Sequence, residues 1–436
     1  MVDVRPFKGI RYSALAGDQS ELICPPFDVI SPEHQADLFR RSRHNMVNLE
    51  LPQTQPNDTE TNNRYSRAGG FFSQLQESGI LEREKESSLY LIRHTFEFEG
   101  QVVQRLGILA CVRLEELDIG NILPHEETRP GPKVDRLAIM NTCHANFSPV
   151  MCLYEDSNGT INYILDSVIK EQPTVEFAHA EEHFALWVLT ESLYTSEILK
   201  TLSTQPLFLA DGHHRYETAL NYRNNRRKEQ RWQPDDAFNF QMMYLVSFQD
   251  PGLLMLAYHR AISGLDEPTL RNIKNRLTHI FDIETFQPGN TTAEEYAQKV
   301  AEWVEKKGKE GPAIGVLDPT GVHVLSSINH ETSANPIEYP LEQWEGWVLQ
   351  EKVLRHVLGE RLIKHVNYFH NASEAMVGIQ EGRYQMAFIM RPLPLKLFRS
   401  VVQNGLRLPP KSTFFHPKIP TGLVINTLRG GITAAL

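Results

Sequence analysis

The residues best placed for chemistry lie in one stretch, Leu207 to Tyr222, LFLADGHHRYETALNY. The apolar run Leu207-Phe208-Leu209-Ala210, bounded by Pro206, reads as a buried strand. Asp211-Gly212 breaks it. From His213 the spacing turns helical, with Tyr216, Ala219 and Leu220 recurring at three and four residues. The spacing therefore predicts a strand, a tight glycine turn and a helix start. Such a start carries partial positive charge, and Gly212 lets a ligand approach the backbone. Arg215 adds a fork of donors suited to phosphate or carboxylate. Asp211, Gly212, His213, His214 and Arg215 converge on an anion site, with phosphate the best-matched ligand. An Asp-Gly pair before a helix is also an ordinary turn and cap, and either histidine could be structural.

Three other polar stretches could meet this one. Leu22 to Ser31, LICPPFDVIS, places Asp28 just after the rigid Pro25-Pro26 pair and just ahead of a helix opened by Ser31-Pro32. Leu123 to Leu137, LPHEETRPGPKVDRL, holds His125, Glu126, Arg129, Lys133 and Arg136 around a Pro-Gly-Pro corner expected to fix the loop's shape. Carboxylates there could hold a cation or act as a base, and Arg129, Lys133 and Arg136 could neutralise phosphate oxygens. A solvated loop with self-pairing charges is the alternative. Leu408 to Leu423, LPPKSTFFHPKIPTGL, offers Lys411, Ser412, Thr413 and Lys418 as ligand contacts, or else is a tail pinned by Phe414 and Phe415. His259-Arg260 ends a predicted strand and could face the same site.

The elements that must hold these residues divide the chain. At 436 residues it exceeds the size of a single core. Hairpin strands over Leu89–Phe98 and Val102–Leu114, strands at Met46–Leu51, Val150–Tyr154, Asn239–Phe248 and Leu253–Tyr258, and helices between them make up a first domain, residues 1–262. A second domain, 263–436, alternates amphipathic helices (one of them Leu341–Val357) with strands, and its last segment is placed to pack back on the first. The fold class is α/β (α+β).

Composition excludes several functions. The net charge is −10, and the cluster Arg223, Arg226, Arg227, Lys228, Arg231 is local, so no nucleic-acid partner is expected. Four scattered cysteines without a C-x-x-C argue against zinc and disulfides. With neither a signal core nor a long apolar run, the expectation is a cytoplasmic protein without membrane contact.

RPFKGIRY, PPFDVIS, LPHEETRPGPKVDRL, NFSPVMCLY, ADGHHRYETAL and PPKSTFFHPKIPTGL together resemble the bacterial and archaeal family known as domain of unknown function 1015. That family resembles the ParB/sulfiredoxin fold, which includes the ADP-dependent free serine kinase. The resemblance implies a ParB/sulfiredoxin-like first domain in which Gly212, His213, His214 and Arg215 form the phosphate turn. It implies a serine kinase-like phosphotransferase of serine metabolism, using ADP or ATP with Mg²⁺ on serine or phosphoserine. Under it, Glu126 and Asp28 are the candidate bases, Asp211 the third, and His213 or His214 a phosphate donor or general acid. Lys133, Arg136, Lys411, Ser412 and Thr413 would contact nucleotide or phosphate, and His125 and Arg260 the substrate. No metal ligand is assigned. The turn lacks the catalytic cysteine of sulfiredoxins, and no DNA-binding domain of the ParB kind is visible. A phosphoserine phosphatase and a non-catalytic nucleotide- or ligand-binding regulator remain alternatives.

Overall fold

The computed structural model describes residues 1–117, 119–126, 130–190, 192–286, 292–309, 311–319, 321–328 and 339–433. Glu127, Thr128 and Arg129 of the polar loop therefore lie outside the described residues. The protein is of the α/β class, and its chain forms two compact units. The first comprises residues 1–124, 128–254 and 417–436, so the C-terminal segment from Pro417 onward, here called the strap, belongs to it; the second comprises 125–127 and 255–416.

The first unit is built on a mixed nine-stranded sheet. Its strands are β1 (Val4–Arg5), β2 (Leu89–Phe98), β3 (Gln101–Arg113), β4 (Ile122–Leu123), β5 (Val150–Tyr154), β6 (Val175–His179), β7 (Glu182–Leu189), β8 (Leu207–Asp211) and β9 (Phe240–Ser247). They run in the order β4-β8-β5-β9-β3-β2-β7-β6, with β1 beside β3. β8 pairs parallel with β4 and antiparallel with β5, and β9 pairs parallel with β5. All eight residues of β9 are buried, which is why its sequence is a nearly unbroken apolar run. Ile161, Ile164 and Leu165, Ile198 and Leu202, and Tyr216 and Leu220 come from three helices and share a core with the apolar residues of these strands. A second cluster joins the N-terminal segments to the helix Pro130–Cys143 through Leu38, Val47, Leu49, Phe72, Ile139, Phe147 and Ile425.

Two sequence expectations in this unit are corrected. Met46–Leu51 is not a strand: Val47–Glu50 is a single helical turn. Asn45 enforces it, its Oδ1 accepting from Val47 N at 2.9 Å while its Nδ2 donates to the carbonyls of Glu21 and Ile23. The Pro130-Gly131-Pro132 corner is not a loop but the first turn of the helix Pro130–Cys143. Proline has no N–H to give there, and its fixed φ suits that position.

The second unit carries a six-stranded sheet of β10 (His259–Ile262), β11 (Phe281–Phe286), β12 (Ala313–Asp318), β13 (Gly321–Ile328), β14 (Val366–Phe369) and β15 (Met386–Ile389). The order is β11-β13-β12-β15-β10-β14, antiparallel throughout. His259 and Arg260 begin β10 rather than end a strand, because the preceding strand stops at Leu256. The single helix expected over Leu341–Val357 is instead four short pieces. Tyr339–Glu342 and Glu345–Trp347 are followed by a π-helical turn over Val348–Leu354 and a last turn, Arg355–Leu358. Glu345 is buried inside this segment against Arg391, with contacts of 3.0 and 3.1 Å, a pairing that amphipathic spacing does not reveal.

Candidate functional site

The sheet delivers Asp211 to the end of β8. Along β8 the residues from Leu207 to Ala210 are buried, and only Asp211 emerges. The pairing with β5 shifts register between Leu209 and Asp211, and such a bulge re-aims a side chain at a strand end. Gly212 then takes φ 93° and ψ 30°, and the helix His213–Glu229 begins, with Tyr216 N donating to Gly212 O at 2.9 Å. A Cβ at Gly212 would lie 3.0 Å from Arg215 Nε and 3.1 Å from its Cζ. Glycine is thus required twice, for its backbone angle and for the arginine laid against it. Gly212→Ala should cost roughly 1–3 kcal/mol, seen as a melting temperature a few degrees lower. An unchanged melting curve would show that the turn relaxes freely.

Arg215 is not an open fork. Its Nη2 donates to Asp211 Oδ2 and its Nη1 to the carbonyl of Pro149. The other oxygen, Asp211 Oδ1, takes Lys418 Nζ at 2.9 Å, and the same ammonium donates to Asp28 Oδ2. Asp28, Lys418, Asp211 and Arg215 thus alternate acid, base, acid, base across the helix start. The Lys418 side chain is only 9% exposed, against 24% for Asp211 and 33% for Asp28. Burial alone would raise the Asp211 carboxyl, but Lys418 and Arg215 outweigh it and hold it well below the ordinary value near 3.8. Burial would likewise lower the Lys418 ammonium, and the charges of Asp211 and Asp28 instead raise it above its ordinary value.

Each member is fixed by its surroundings. Asp28 sits in the single turn Phe27–Val29. Phe27 N donates to Glu50 Oε1 at 3.2 Å, and the Phe27 ring lies 4.3 Å under the Arg136 guanidinium. Lys418 is held from both sides. Arg105 Nη2 donates to the Pro417 carbonyl at 2.6 Å, and Thr421 N to Cys24 O at 2.7 Å. Arg105 is fully buried and also contacts His94 Nδ1 at 3.1 Å. An arginine can only donate, so the neutral ring's proton sits on Nε2, which donates to Glu182 Oε2 at 2.9 Å. Arg105→Met should leave the Pro417 carbonyl and His94 without their donor, costing about 2–3 kcal/mol. Any turnover that depends on Lys418 should fall with it. Retention of full activity at an unchanged melting temperature would show that the strap needs no such anchor.

The remaining predicted residues are held by other partners or belong to the second unit. Lys133 pairs with Glu217 at 2.6 Å. Arg136 binds Asp135 and donates to the Glu50 carbonyl at 2.6 Å. Arg136 and Arg215 do line one cavity, with Glu50, Ser148 and Gln241, but at about 40 Å³ it suits one to three waters, not a nucleotide. His213 is buried, and the His214 carbonyl accepts from Thr218 Oγ1 at 2.6 Å. His125, Glu126, Arg260, Lys411, Ser412 and Thr413 belong to the second unit. There His125 Nε2 and Thr413 Oγ1 are 2.8 Å apart, and Glu126 bridges Leu408 through the main chain. Ser412 Oγ donates to the Pro409 carbonyl at 2.5 Å, and Lys411 Nζ lies 5.1 Å from the Tyr258 ring centroid. Arg260 is buried beside the Tyr368 ring. Sequence reasoning missed Glu50, Arg105, His94 and Glu182. A carboxylate between Leu49 and Leu51 was the one available signal for Glu50.

Fold and site together define an α/β protein whose first unit carries a charged site at a glycine-turned helix start. The chain belongs to the family described as protein of unknown function (DUF1015), whose model matches residues 4–339. No curated protein matches the chain. Among solved structures it is similar to a conserved hypothetical protein from Pyrococcus furiosus, at 13% identity and TM-score 0.35, covering 70% of this chain and 92% of that one. A mutant of free serine kinase in complex with ADP is similar at 12% identity and TM-score 0.35, covering 70% and 89%. SbnI from Staphylococcus aureus, truncated at its C-terminus, is similar at 10% identity and TM-score 0.35, covering 74% and 87%. No described helix is long and apolar enough to cross a membrane.

Proposed function

We propose that this protein is a phosphotransferase that moves a phosphoryl group between a nucleotide, ADP or ATP, and the hydroxyl of free serine. The observation that carries the reading is the Asp28–Lys418–Asp211 chain at the helix start. Phosphoryl transfer is mostly positioning and charge neutralisation, and a helix start with a buried ammonium beside it provides both. Serine as the acceptor follows from the family resemblance of the motifs.

The carboxylates divide the work. Both oxygens of Asp211 are held by cations, so it orients Lys418 and Arg215 and is a weak base. Asp28 gives only Oδ2 to Lys418, which leaves Oδ1 to accept the serine proton. Glu126, in the second unit, is the competing base. Asp211 has no oxygen left for the expected Mg²⁺, and a single oxygen of Asp28 does not make a metal site. The ion would have to arrive on the nucleotide.

The test is incubation of the full chain with L-serine, Mg²⁺ and ADP or ATP, followed by mass spectrometry. O-phosphoserine together with the shortened nucleotide is the expected result. Free phosphate released from O-phosphoserine without nucleotide would replace the kinase by the phosphatase. No turnover in either tube would leave a ligand-binding regulator.

A further inference from the structure

The N-terminal segment around Lys8 has no part in the site above, yet it borders a cavity of the first unit. That cavity measures about 200 Å³ and is lined by Lys8, Arg83 and Arg429 together with the hydroxyls of Ser87, Thr427 and Thr433. None of its lining residues is acidic. The neighbouring cations are paired: Arg5 with Asp3 and Asp235, and Arg11 with Glu84. The side chains of Lys8, Arg83 and Arg429 make no ion pair or hydrogen bond with any described residue. Three like charges thus share one cavity, in a chain where acidic residues outnumber basic ones by 54 to 44.

The wall bearing Arg429 is rigid. Ala237 N donates to Gly430 O and Ile432 N to Asp235 O, each at 2.8 Å, and Leu428 N donates to His144 O at 2.7 Å. Thr427 Oγ1 accepts from Arg429 N at 3.3 Å. The positive charge of Arg429 reaches its surroundings: His144 sits below its ordinary value, first through burial and then through Arg429 and Arg226. Unpaired cations and hydroxyls around one cavity are suited to an anion with many acceptor oxygens.

We propose that this cavity binds a small phosphomonoester. At five times the volume of the cavity beside Arg136, it has room for a phosphate and a few carbons.

The test is calorimetric titration of the full chain with glycerol 3-phosphate, with malonate as a carboxylate dianion for comparison. Glycerol 3-phosphate should bind saturably, at least tenfold tighter than malonate and more weakly as salt rises. The double variant R83Q/R429Q should lose at least tenfold in affinity at an unchanged melting temperature, and K8Q should lose less. Binding that survives R83Q/R429Q, equal binding of malonate, or no saturable heat would each overturn the proposal. Turnover enters none of these readings, so the outcome is independent of the kinase assay.

Discussion

Lys418→Met should destabilise the protein by about 3 kcal/mol, lower its melting temperature by roughly 6–12 °C, and cut turnover at least about 100-fold. Methionine keeps the apolar stem and removes the charge. Asp28 and Asp211 would then face each other across a site that had held one ammonium, and only Arg215 would still neutralise Asp211. Removing one partner of a buried pair costs more than the pair is worth, because the remaining charge stays buried. The partial exposure of Asp28 places the estimate at the low end of that range.

The pH dependence follows from the same charges. Asp211 titrates below its ordinary value in the folded chain, so its contribution is present above about pH 4 and is lost as pH falls through the folded value. Lys418 titrates above its ordinary 10.5, so its contribution is full below that pH and is lost as pH rises through the folded value. The wild-type site should therefore contribute a flat plateau across the neutral range. In the Lys418→Met variant the acid limb should move to higher pH as the Asp211 carboxyl returns toward its ordinary value. Melting curves recorded from pH 3 to 8 would show this, and superimposable acid limbs would refute the coupling.

Asp28→Asn should lower kcat by roughly 10²–10⁴-fold and leave the KM for nucleotide within a few-fold. An amide can still accept from Lys418, but it cannot take a proton from serine. Stability should change little, since Lys418 keeps Asp211. Glu126→Gln is the matching control. If it abolishes turnover while Asp28→Asn keeps it, Asp28 is a structural partner of Lys418 and the base lies in the second unit.

The parts legible in the sequence were those set by local rules. The strand, glycine turn and helix from Leu207 to Glu229 follow from periodicity and one D-G pair, and they place Asp211, Gly212 and Arg215 correctly relative to one another. Asp28 ahead of the Ser31-Pro32 helix was equally readable. Sequence spacing could not show that Arg215 spends its donors on Asp211 and Pro149, or that Lys418 bridges two carboxylates 390 and 207 positions away. Those pairings are long-range and depend on a strap anchored by Arg105, which reads only as a charge in a strand. Pro130-Gly131-Pro132 misled for a different reason, because the same residues mark a corner or a helix start, and the packing of Ile139 and Met140 decided for the helix.

A crystal structure of the full chain with ADP bound would show whether the helix start holds the nucleotide. Phosphate oxygens are expected within about 3 Å of the main-chain amides at the start of the helix His213–Glu229 and beside Lys418 Nζ. Nucleotide bound elsewhere, with the Asp28–Lys418–Asp211 chain unchanged and out of its reach, would contradict this expectation.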